Sequence, residues 1–180
     1  MKFKSAYLII FSILCFAGKS QNSEWLATSS VISFKIKNAG FNTNGKFTGL
    51  KSKIIFDATT TSGNLIEASL DASTIDTDNS TRDGHLKKEE YFDVQKFPLI
   101  KLSSQKFLKQ NEGSFNGYFK LNLKNVVKDI MIPFTFSEKE GKGVFKGSFT
   151  LNRLDYGVGG SSIIMSDNVT ISLTVYVIKK

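Results

Sequence analysis

The chain has 180 residues, 24 basic and 16 acidic side chains, a net charge of +8, and 41% hydrophobic residues that include sixteen phenylalanines. One cysteine and one histidine exclude a disulfide framework and a metal centre built on thiolate and imidazole ligands. The lysines are scattered singly rather than gathered into a stripe with interleaved aromatics, which excludes the usual nucleic-acid groove.

The chain opens on a stretch that reads as a secretory leader. Lys2 and Lys4 precede the apolar run from Ala6 to Ala17, and Gly18-Lys19-Ser20 offers small residues for cleavage before Gln21. That run is too short for a comfortable membrane span. The expectation is a signal peptide over 1–20 and an exported domain over 21–180, periplasmic or secreted. Cys15 lies inside the leader, but Leu14 stands where a lipoprotein signal requires a small residue, so a lipid anchor is not expected. Removing Lys2, Lys4 and Lys19 from the 24 basic residues leaves 21 against 16 acids, a net +5. Such a balance suits at most transient contact with an anionic membrane surface.

Beyond the leader, apolar and polar residues alternate with the period of half-buried strands. Ile32, Phe34 and Ile36 share one face of "VISFKIK". A turn at "NAG" leads into "NTNGKFTGLKSKIIFD", with Asn44-Gly45 and Gly49 as turn or bulge points. Ile66, Ala68, Leu70 and Ala72 alternate with Glu67, Ser69 and Asp71, and residues 99–108 read as a further strand. Phe115, Gly117, Phe119, Leu121 and Leu123 then share a face. So do Ile130, Ile132, Phe134 and Phe136; then Phe145, Gly147, Phe149 and Leu151; and finally Val169, Ile171, Leu173, Val175 and Val177. About eight short strands joined by tight turns predict an all-β fold, an up-and-down antiparallel barrel whose interior is filled or holds one small ligand. Two such barrels could also pair through exposed strand faces as a homodimer.

One block breaks the alternation. Residues 82–92 are rich in helix formers, with Thr81 or Asp83 as the cap, and predict a single helical excursion. In an all-β chain such an excursion can close one end of a barrel, with Phe92, Val94 and Phe97 turned inward and the lysines outward. Asp83 and His85 invite a catalytic reading with Ser80, Ser103 or Ser104. However, residues two apart do not assemble a triad, and no nucleophile elbow is present. "YGVGGSS" at residues 156–162 lacks the order of a phosphate-binding loop and reads as a flexible connection.

The stretch "TIDTDNSTRDGHLKKEEYFDVQKFPLIKLSS" resembles the signature of the YceI-like family of polyisoprenoid-binding, lipocalin-like proteins. Thr77, Arg82, Asp83, His85, Leu86, Phe92, Asp93, Val94 and Pro98 fall in place. "GYFKLNLKNVVKDIMIPFTF" and "GSFTLNRLDYGVG" are similar to two further elements of that family. The resemblance implies an extended eight-stranded barrel with a short helical insertion and a hydrophobic tunnel. It also implies an exported bacterial protein that holds a long isoprenoid or quinone-like lipid for transport or storage. Ser29 and Asn38 depart from the pattern, standing where many members carry histidine, and Asn125 stands where glycine is usual.

By strand phase, the expected tunnel lining is Phe34, Ile36, Phe47, Leu70, Phe92, Phe97, Phe119, Leu121, Phe134, Phe149, Ile171 and Leu173. Arg82, Asp83 and His85 are the candidates for fixing the lid or meeting a polar head group. The expected activity is binding rather than catalysis, with no cofactor other than the bound lipid. The competing expectation is a non-enzymatic stress or adhesion protein whose barrel core is simply filled.

Overall fold

A computed structural model describes residues 22–180. The predicted leader at 1–20 lies outside the described residues. Nine antiparallel strands form one sheet that closes on itself. They are β1 (Glu24–Asn38), β2 (Phe41–Phe47), β3 (Lys51–Ile55), β4 (Leu65–Asp71), β5 (Leu99–Asn111), β6 (Ser114–Leu123), β7 (Val126–Lys139), β8 (Lys142–Asn152) and β9 (Met165–Lys179). Except for β2 and β3, which do not pair with each other, each strand pairs with its neighbour in sequence, and β1 closes the ring by pairing with β9 from Trp25↔Lys179 to Asn38↔Met165.

The predicted eight strands are observed as eight staves. Both β2 and β3 pair with the same edge of β1, from Ile32↔Phe47 at one height and Trp25↔Ile54 at the other, in one continuous register. They form one stave, interrupted at Thr48, Gly49 and Leu50. Thr48 turns its N–H to the Thr74 hydroxyl instead of to β1. The fifth strand is longer than the predicted 99–108 because its ladder with β6 runs on to Asn111↔Ser114.

The hairpins explain this regularity locally. Lys124 and Asn125 both have positive φ, 51° and 62°, as a two-residue turn that matches strand twist requires. Asparagine tolerates that region, so Asn125 does the work of the expected glycine. Ala39-Gly40 and Glu140-Gly141 make the same kind of turn.

The excursion between β4 and β5 begins with a 3-10 turn, Ala72–Thr74, followed by the helix α1, Ser80–Leu86. The helix thus starts and ends earlier than the predicted 82–92. Asn79, not Thr81 or Asp83, is its cap, accepting from the Arg82 N–H at 2.9 Å. Past Lys87 the chain leaves the helix in a series of turns, with Phe92 donating to the Leu86 carbonyl and Asp93 at φ 47°.

One end of the barrel is solid. Immediately after β3, Phe56 turns into the barrel and is completely buried. Its ring centroid lies between 5.2 and 5.8 Å from those of Phe107, Phe115, Phe134, Phe136 and Phe145, and all five pairs are edge-on, a geometry that aromatic rings favour. The Trp25 indole N–H donates to the Phe56 carbonyl at 2.9 Å, and the Phe56 N–H donates to the Ser23 carbonyl at 2.8 Å. The plug is therefore fastened by its backbone as well as by packing.

Candidate functional site

The opposite end is hollow because the wall splits twice. On one side, β3 pairs with β4, whereas the edge of β2 that faces away from β1 meets, among the described residues, only Asp76, through Lys46. On the other, the ladder between β7 and β8 stops at Phe134↔Gly147. The Phe136 N–H points at the β6 side, to Gly113. By strand alternation the nitrogen of Pro133 then faces β8, where it cannot donate, so the ladder ends there.

Each split is filled by a connection rather than a strand. The segment Arg153–Tyr156 forms a 3-10 turn beside the β7 opening, with Lys128 paired to Asp155 at 3.2 Å. Residues 87–98 cover the neighbouring region. The two connections clasp each other: the Gly159 N–H donates to the Glu90 carbonyl at 2.8 Å, and the Lys124 ammonium bridges the Glu89 and Gly157 carbonyls at 2.9 and 2.8 Å. Tyr156 and Val158 are buried against Leu121 and Leu123, with Tyr91 and Phe92 packed alongside. The glycine-rich stretch predicted as a flexible connection is therefore a packed part of the wall. Its apolar Tyr156 and Val158 were the available signal. Burial, with Asp155 beside it, pushes the Tyr156 hydroxyl above its ordinary pKa.

Between the solid end and this clasp lies a cavity of about 290 Å³. Every tunnel candidate named from strand phase borders it except Phe97. Phe97 sits half-buried beside Lys96, whose ammonium lies 5.4 Å from its ring centroid, and Val94 is likewise absent from the lining. The reason is the early end of α1: the turns that follow carry Phe92 inward and the next residues along the flank. Sequence reading missed the lining contributed by Leu50, Ile54, Ile100, Leu102, Val158 and Met165. Several of these come from strand ends and connections, where alternation gives no phase.

The wall is almost wholly apolar. Ser52, on β3 between Leu50 and Ile54, carries the one buried side-chain oxygen or nitrogen without a hydrogen-bond partner among the described residues. Arg153 also reaches the cavity, but its guanidinium is spent on the carbonyls of Ser166 and Val158 and on Asp167 at 3.1 Å.

The three head-group candidates do not converge. Asp83 Oδ1 accepts from both the N–H and the hydroxyl of buried Thr77, at 3.0 and 2.6 Å. Arg82 donates from Nε to the Thr77 hydroxyl at 2.8 Å and from Nη2 to the Thr77 carbonyl at 2.7 Å. These bonds lock α1 onto the segment before it, and only Arg82 of the three borders the cavity. His85 is exposed on α1. Of the two departures from the family pattern, Asn38 borders the cavity and Ser29 is exposed at a bulge in β1. Among the described residues no three His, Cys, Asp or Glu side chains gather as a metal site.

A closed, lipocalin-like barrel with an apolar cavity at one end is the architecture of a small-ligand binding fold. The model of the YceI-like domain matches residues 25–177, and the chain belongs to that family. A protein of Pseudomonas savastanoi, named only UPF0312 protein, is 27% identical over 172 residues, covering 89% of each chain. A namesake from Shewanella denitrificans is 26% identical over 156 residues, covering 83% of this chain and 82% of its own. Among solved structures, BcnA of Burkholderia cenocepacia superposes with a TM-score of 0.79 at 19% identity, over 82% of this chain and 95% of that one. A domain from Saccharophagus degradans, described as polyisoprenoid binding, superposes with a TM-score of 0.72 at 13% identity, over 89% of this chain and all of that one.

Proposed function

We propose that this protein holds a long apolar lipid, a polyisoprenoid or an isoprenoid-quinone-like molecule, in its barrel cavity. The observation that carries the reading is the cavity itself, enclosed by the inward faces of the staves and left open by the core packing that fills the other end. The cavity weighs against a fully filled core, the competing expectation, since Phe56 and its partners occupy only one end. The polyisoprenoid-binding description of the Saccharophagus degradans domain supports the choice of lipid.

Burying apolar chain is worth about 0.8 kcal/mol per methylene. Ten such groups would therefore contribute roughly 8 kcal/mol before the costs of ordering and immobilising the lipid. Affinity would come from area rather than from a polar anchor, which agrees with the engagement of Arg82 and Asp83 by Thr77. The reading is binding without turnover, as carrier or store, and the leader-like residues 1–20 support an exported, periplasmic or secreted setting.

Native mass spectrometry of protein purified gently from its host, followed by organic extraction, tests this. The expected result is a discrete, extractable adduct of several hundred daltons that is lost when the cavity is blocked by Ala68→Phe. A clean unliganded mass together with failure to take up added quinones and prenyl alcohols would overturn it.

A further inference from the structure

The hollow end of the barrel also carries the most exposed large apolar side chains among the described residues. Phe41 is 79% exposed, Ile164 60%, and Ile163 fully so. Phe41 opens β2 after the Ala39-Gly40 turn, and Ile163 and Ile164 lead into β9. The Ala39 N–H donates to the Ile164 carbonyl at 2.7 Å, so the two tips form one edge. Asn38, Thr43 and Met165, within or beside these tips, line the cavity. The edge is thus part of the cavity's rim.

Its charge pattern is specific. Neither "NAGFNTNG" (residues 38–45) nor "YGVGGSSIIMS" (residues 156–166) contains a charged residue. Behind the first tip stand Lys35, Lys37 and Lys46. Lys35 and Lys37 are exposed and form no ion pair among the described residues, while Lys46 pairs with Asp76 at 3.1 Å. The acid that follows the second tip, Asp167, is held by Arg153 at 3.1 Å. Exposed apolar groups on a chargeless tip, with uncompensated lysines set back from it, match the two layers of an anionic bilayer: acyl boundary in front, head groups behind. An apolar patch on a soluble surface marks a contact site, and here the uncompensated cations select an anionic lipid surface as the occupant.

We propose that this edge docks the barrel onto an anionic bilayer, with Phe41, Ile163 and Ile164 inserted and Lys35 and Lys37 on the head groups, placing the cavity mouth against the lipid phase. The role of this contact, exchange of cargo with the membrane, rests on the lipid-binding reading, but the contact itself is tested without it.

The test is a local one in the full chain. Trp25, the only tryptophan, is buried at the far end and gives a constant background, so Phe41→Trp reports on the tip alone. Vesicles of phosphatidylglycerol with phosphatidylcholine should shift its emission to the blue, and brominated lipid should quench it. Pure phosphatidylcholine should do neither. Lys35→Glu with Lys37→Glu should weaken the response at least about tenfold, and high salt should do likewise. The absence of a shift overturns the proposal, as does an equal response on neutral vesicles. A blue shift that grows with protein concentration and needs no vesicles assigns the edge to a second copy of the chain and overturns it too. Farnesol loading, followed by native mass spectrometry without vesicles, separates the two readings. Loading without a vesicle response overturns docking alone, and a vesicle response without loading overturns the cargo reading alone.

Discussion

The two ends of this barrel are built from the same strands with the same alternation, yet one is solid and the other hollow. At the solid end, Phe115 of β6, Phe134 and Phe136 of β7 and Phe145 of β8 converge on Phe56, which enters from a connection. At the hollow end the same strands present Leu121, Ile130 and Leu151, and the side chains that connections send in, Phe92, Tyr156 and Val158 among them, pack along the wall and leave the cavity open. There the staves also splay, because Pro133 ends one ladder and Lys46 meets Asp76 where β4 would otherwise stand. Alternation decides which residues face inward; whether the interior fills depends on ring size and on a plug.

The sharpest way to break the contrast is to remove the plug. Phe56→Ala should cost about 3–5 kcal/mol in urea unfolding, while Phe149→Ala, which borders the existing cavity, should cost only about 1–2 kcal/mol because fewer contacts are lost. Equal losses would mean that the two ends are packed alike. Gly45→Val comes next. A Cβ at Gly45 would lie 2.9 Å from the Thr77 methyl and closer still to the Phe34 ring. The substitution should cost about 1–3 kcal/mol and loosen α1, read as faster amide exchange in residues 77–86 with little change at the solid end.

Ala68→Phe sharpens the comparison from the other side. Filling the hollow end should leave the melting temperature within a few degrees of wild type and lower lipid loading at least about tenfold; a large loss of stability would show that the cavity wall has no room to give. The smallest effect concerns acid. The Thr59 hydroxyl and then the Thr59 N–H, both donating to Asp57 beside the plug, hold its carboxyl below the ordinary 3.8. Its folded pKa is depressed, so the stabilisation is present above the ordinary value and is lost as pH falls through the depressed one. In thermal melts, Asp57→Asn should flatten that acid limb slightly and leave the slope near neutral pH unchanged.

Much of the fold was legible in the chain. Alternation placed Phe34, Phe119, Phe149 and Ile171 on the inner face because a strand's period of two leaves only one choice of phase once a face is apolar. The "TRDGHLK" block marked the helix, although its start was misplaced, since Asn79 and Thr81 are both good caps and only the turn at Asp78, with φ 57°, favours the former. Phe97 could not be placed because its direction depends on how the chain leaves α1. Tyr156 and Val158 were hidden in a glycine-rich stretch whose burial depends on Leu121 and Leu123, some thirty residues earlier in the chain. Pro133 was visible but uninformative until its partner strand was known.

By itself, then, the sequence determined the antiparallel order, the inward faces of the strands and the turns, since these follow from local periodicity and backbone preference. Only the tertiary structure decided that Phe56 is a plug, that β2 and β3 are one stave, that Arg82 and Asp83 are consumed in holding a helix, and that a cavity remains. Each of these depends on distances between residues far apart in the chain, and a void is a property of what surrounding side chains fail to reach.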